Sequence, residues 1–115
     1  MQEMVFTLNW HFASIAANTI LAWKMPFGAT LLHVSLSTTA KNDTTVKIGD
    51  GDDDACIYAD TALPDNTQSE LAVAGFVGGV YHALVKGDVF KITLTKGTTS
   101  ATEIDIVCTF LAGGA

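Results

Sequence analysis

Asp50, Asp52 and Asp54 stand at alternate positions, the spacing with which a calcium loop opens, and their hard carboxylate oxygens suit such a cation. The rest of the pattern departs from that loop. Its sixth position, where a sharp turn needs glycine, is Ala55, and its twelfth, where a bidentate glutamate belongs, is Thr61. A solvated acidic loop is the simpler reading. His11, His33 and His82 lie far apart, and none sits at metal-ligand spacing from a cysteine, a carboxylate or another histidine, so hydrogen-bonded structural roles are expected of them. No nucleophile elbow, no zinc-binding helix motif and no phosphate-cradling glycine loop occurs. Cys56 and Cys108 allow one disulfide at most and read as two buried thiols. Lys86-Gly87-Asp88 matches an integrin-type tripeptide, but it reads first as a hairpin turn. The sequon Asn42-Asp43-Thr44 has meaning only on a secreted chain.

Trp10 and Trp23 are the remaining groups with recognisable chemistry, since indoles stack on sugars. Trp10 shares a strand face with Phe6, Leu8 and Phe12, which favours core packing. Trp23, beside Lys24 and Met25, and Tyr81 are the more plausible stacking residues. No catalytic set can be assembled from these parts, so neither an enzyme nor a bound cofactor or metal is expected.

Alternation of period two governs the elements that would carry these residues. Phe6 to Phe12, Thr19 to Met25, Thr30 to Ser37, Thr45 to Gly49, Cys56 to Tyr58, Phe90 to Leu94 and Ile104 to Phe110 read as strands, with Leu32, Val34 and Leu36 sharing one face of the third. Leu71 to Tyr81, diluted by Gly75, Gly78 and Gly79, is assigned one irregular strand. Only Ala13 to Ala22 is compatible with a helix, and its β-branched residues weaken that case. The sum is one all-β domain over residues 1–115, an antiparallel β-sandwich of jelly-roll type with about eight strands.

Hydrophobic residues make up 49% of the 115 and charged residues only 16%, against roughly 25% in ordinary soluble domains. Mean hydropathy is +0.35. The excess apolar side chain is best placed against a partner or another copy of the chain. The formal charge is −6; the six basic residues are all lysine, and without arginine a nucleic-acid partner is not expected. Eight of the twelve acids fall between Asp43 and Glu70, so one edge or end of the domain is predicted to be acidic. Neither a secretory signal nor a membrane span is read in the sequence, and a chain made in a cytoplasm is the corresponding expectation.

Four stretches carry a family resemblance: Thr30 to Leu36 after a proline-containing turn, Thr44 to Gly51 as a threonine-rich turn, strand and acidic glycine loop, Val85 to Ile92 as a glycine-aspartate turn and strand, and Thr98 to Leu111 as a closing hairpin and final strand. Through them, from about Ala29 to Leu111, the chain resembles small β-sandwich virion proteins of tailed bacteriophages, notably head decoration or cement proteins. The resemblance implies a virion protein on the outer capsid surface that binds the major capsid protein and its own copies, often as trimers. A carbohydrate-binding β-sandwich module of a tail fibre or baseplate is the alternative. Gly75 to Tyr81 and the two termini, apolar yet poorly patterned for a core, are the expected contact segments; there Phe76→Asp or Val77→Asp is expected to weaken assembly without unfolding the monomer.

Overall fold

The computed structural model describes residues 4–40, 42–64, 66–99 and 101–112, which form nine strands: β1 (Met4–Ser14), β2 (Thr19–Lys24), β3 (Ala29–Thr38), β4 (Thr45–Asp50), β5 (Tyr58–Ala62), β6 (Thr67–Leu71), β7 (Ala83–Leu84), β8 (Val89–Thr95) and β9 (Thr102–Ala112). One sheet runs β1-β9-β3-β6, with the short β7 also on β3, and the other runs β2-β8-β4-β5. Every pairing is antiparallel. The pairs nest: β1 with β9, β2 with β8, β3 with β6, β4 with β5. A long hairpin rolled up in this way is a jelly roll, so the chain is an all-β sandwich as its alternation predicts.

Alternation sets the core directly. Phe90, Ile92 and Leu94 of β8, Val46 and Ile48 of β4, and Ile104, Ile106, Cys108 and Phe110 of β9 point between the sheets and are buried. Phe110 is the hub at one end, stacked on Phe6 at 5.2 Å between ring centroids and edge-on to Phe90 at 5.1 Å. Phe110→Leu keeps most of the volume but loses these ring contacts and a third, tilted one with Trp23 at 6.3 Å; we expect it to lower stability in urea by about 2 kcal/mol.

Three local readings are corrected. In β3 the ladder to β9 shifts register between Leu31 and His33, so Leu31 joins Val34 and Leu36 in the core while Leu32 is only half-buried. Residues 71–81 are not a strand. β6 ends at Leu71, and two short 3-10 turns follow, Val73–Gly75 and Val77–Gly79. Gly78 and Gly79 adopt φ of 75° and 65°, two consecutive left-handed residues that turn the chain out of any extended run. Two strands go unread in the sequence: the two-residue β7, and β6, whose Thr-Gln-Ser-Glu-Leu sequence hides because it lies at a sheet edge with a mostly exposed surface. As its β-branched residues indicate, Ala13 to Ala22 forms no helix: Ser14 ends β1, Ile15 plugs the core at the bend, and Thr19 begins β2.

Candidate functional site

β1 and β2 are the terminal strands of their sheets on the same side of the sandwich, and the apolar side chains between them are incompletely covered. Phe6, Leu8, Trp10 and Phe12 of β1 and Leu21 and Trp23 of β2 lean on the core yet remain half-buried. At one end Phe6 bridges the gap, meeting Trp23 at 6.0 Å and Phe27 at 5.4 Å. Met4, Val5 and Ile20 on the same two strands are 61%, 60% and 56% exposed. Across β1 there is no formally charged residue, and β2 has only Lys24. The sequence names the strand and its apolar face; that this face stays partly open depends on β1 being an edge. The lack of charge from Met4 to Ser14 is the signal that could have pointed to it.

At the far side of the molecule, β5 and β6 close the two sheets, and the acidic residues gather towards them. In the β4–β5 loop the carboxylates of Asp50, Asp53 and Asp54 are engaged by their own chain. Asp50 Oδ1 accepts the amides of Asp52 and Asp53, each at 2.9 Å, and Asp53 Oδ1 accepts that of Ala55 at 3.0 Å. Asp54 takes the Lys91 ammonium at 2.7 Å. Asp52 and Asp54 thus do not converge with Asp50 on a common point, and Thr61 lies on β5. Among the described residues no group of three or more metal-ligating side chains is placed to hold an ion. The Asp53 and Asp52 amides hold the Asp50 carboxyl below the usual carboxylate range, and Lys91 does the same for Asp54. Asp43 is lowered by the amides of Thr98 and Thr99, which donate to it at 2.5 and 3.1 Å.

Each of these depressed carboxyls makes its folded-state contribution when ionised. That contribution is complete above the ordinary aspartate range near pH 4 and is lost as pH falls through the lower folded values. Thermal midpoints are therefore expected to drop steeply on acidification below about pH 4, and Asp43→Asn is expected to show a shallower drop than the parent chain. A calorimetric pH series checks both.

The histidines are scattered. His11, on the outer face of β1, donates from Nδ1 to Asp105 Oδ1 at 2.7 Å and lies 3.4 Å from Glu103; His33 pairs with Glu70; His82 Nε2 donates to the Val77 carbonyl at 2.9 Å. Cys56 and Cys108 are free thiols, and burial pushes both upward, with Asp50 adding to the shift at Cys56, so thiolate chemistry is disfavoured at each. Lys86-Gly87-Asp88 forms the tight turn from β7 to β8, with Asp88 Oδ2 accepting the Val85 amide at 3.0 Å. Trp10 and Trp23 both rest against the core. Tyr81 is 54% exposed, and its ring meets Phe76 edge-on. Phe76 corrects the expected contact segment: it is 3% exposed and belongs to the core, whereas Val77, 43% exposed, faces outward.

Among the described residues there is no ligand-sized cavity and no helix long and apolar enough to cross a membrane. The arrangement offers surfaces: an uncharged apolar edge on one flank and an acidic edge on the other. No protein-family model matches the chain, and no curated protein does.

Proposed function

We propose that this chain is a structural subunit of a bacteriophage virion, of the head decoration type, which binds the major capsid protein and its own copies at the outer capsid surface. The observation that carries the reading is the half-open β1–β2 edge, an apolar surface that a free-standing domain would normally cover or blunt. Jelly rolls serve capsid and lectin domains alike, so the architecture agrees with the reading without selecting it. Composition adds weight: a chain with 49% hydrophobic and 16% charged residues gains by being buried in an assembly.

Quantitative mass spectrometry of purified particles tests it. Many copies per particle are expected, and absence from every virion fraction would end the proposal. The sugar-binding alternative rests on one observation, the exposed Tyr81 ring beside His82. Saturable glycan binding that disappears in Tyr81→Ala would favour it over the decoration role.

A further inference from the structure

We infer that β1 is a self-association seam through which two copies of this chain join edge to edge, making one sheet continuous across a two-fold axis. The inference rests on the assembly reading above and names the partner for one of its surfaces.

Edge strands present unpaired backbone amides and carbonyls, and natural sheets blunt them with lysine, proline, bulges or brevity. β1 has none of these. It is 11 residues long, contains no lysine or proline, and keeps an unshifted ladder to β9 along its paired side. Its sequence is also self-complementary about its central residue, Asn9. Antiparallel pairing with a copy about that point sets Phe6 opposite the partner's Phe12, Leu8 opposite the partner's Trp10, and Thr7 opposite the partner's His11. Over residues 6–12 apolar positions thus meet apolar positions on the inner face and polar meet polar on the outer face, as an isologous contact requires.

Area and charge both favour a second copy as the occupant. A strand of 11 residues runs about 37 Å. With a molecular thickness of 25 Å, the flank has a footprint on the order of 900 Å², against roughly 800 Å² per partner in a stable complex. Each copy carries a net −6. Joining at β1 keeps the Asp50 to Asp54 loops and the β6 carboxylate Glu70 on opposite outer flanks, and the carboxylates nearest the seam, Glu103 and Asp105 of β9, are engaged by His11. The same axis turns the half-buried Leu21 and Trp23 of β2 toward their own copies.

Asn9 faces its own copy on the axis, which makes it the diagnostic position. Sedimentation velocity over a wide dilution series is expected to show a dimer that dissociates on dilution. Asn9→Asp and Asn9→Lys, each placing like charges directly opposite, are expected to weaken dimerisation by roughly fivefold or more. An equimolar mixture of the two is expected to recover a mixed dimer. If either variant melts early, Thr7→Asp, which faces the partner's His11 with its Asp105 and Glu103 carboxylates beside it, takes its place as the weakening substitution. A parent chain that stays monomeric throughout, or a dimer indifferent to charge at Asn9, overturns the seam. Those results leave the capsid reading to the particle assay: a monomer that still occurs in virions sinks only the seam, whereas a charge-sensitive dimer absent from every particle sinks only the decoration role.

Discussion

Phe76→Asp is expected to cost about 4 kcal/mol or more in urea unfolding, a large share of the 5 to 15 kcal/mol typical of a domain, while Val77→Asp one residue later stays within about 0.5 kcal/mol of the parent. The two side chains leave one turn in opposite directions. Backbone bonds fix that turn on both sides: the Phe76 amide donates to the Val73 carbonyl at 3.1 Å, the Val77 amide to the Ile57 carbonyl at 2.8 Å, and the Gly79 amide to the Phe76 carbonyl at 2.8 Å. The Phe76 ring is thereby held in the core, edge-on to Tyr81 and His82 at 6.5 Å each. An aspartate there loses the ring's burial and places a carboxylate in an apolar site. Val77 meets water already and gives up little. Equal stability of the two variants would mean that the turns at 73–79 do not dock as described. The contrast also narrows any contact made by this segment to Val77, Val80 and Tyr81, which are exposed.

How far the sequence reveals this architecture depends on whether the deciding interactions are local. Ile104, Ile106, Cys108 and Phe110 alternate with polar or half-exposed neighbours, and the structure buries all four. Such central strands are legible because one face meets the opposite sheet along its whole length. Thr67–Leu71 is illegible for the converse reason: only Leu71 is buried, so the strand is held by backbone pairing to β3, which leaves no mark on side-chain type. The segment after it misleads because Val73, Phe76, Val77 and Val80 look like a diluted strand, while Gly78 and Gly79 supply left-handed backbone instead. The shift at Leu32 is likewise invisible, since Leu31 and Leu32 are chemically identical and only the ladder to β9 decides which one enters the core. For the candidate surface, Phe6, Leu8, Trp10 and Phe12 are correctly grouped on one face. That β1 has a neighbour on one side only is a property of strand order, set by contacts with residues about a hundred positions away. The acidic loop shows the same division: its position is readable, but the inward turn of Asp50 and Asp53 onto backbone amides requires the folded loop.

Gly49→Val is expected to destabilise the chain by about 4 kcal/mol, the second large effect, because backbone occupies the space its side chain would need. Gly49 lies in β4 between Ile48, which faces the core, and Asp50, which starts the acidic loop. The loop folds back over it: the Asp50 amide donates to the Asp53 carbonyl at 2.9 Å, and the Ile57 amide returns to the Ile48 carbonyl at 3.1 Å. A Cβ on Gly49 would run into the Asp53 carbonyl oxygen and the Asp54 backbone. Carbonyl groups fixed in a hydrogen-bonded loop cannot swing aside as a flexible side chain can. The loop must therefore open, which releases the amides capped by Asp50 and the Asp54 pair with Lys91, the residue directly across from Gly49 on β8. Gly51 supplies the control. A Cβ there first meets Val89 at 3.6 Å, ordinary contact, so Gly51→Ala is expected to melt like the parent in the same urea series. A Gly49→Val chain as stable as Gly51→Ala would show that the loop does not close over β4, and with it would go the account of why these aspartates cap amides instead of gathering around an ion.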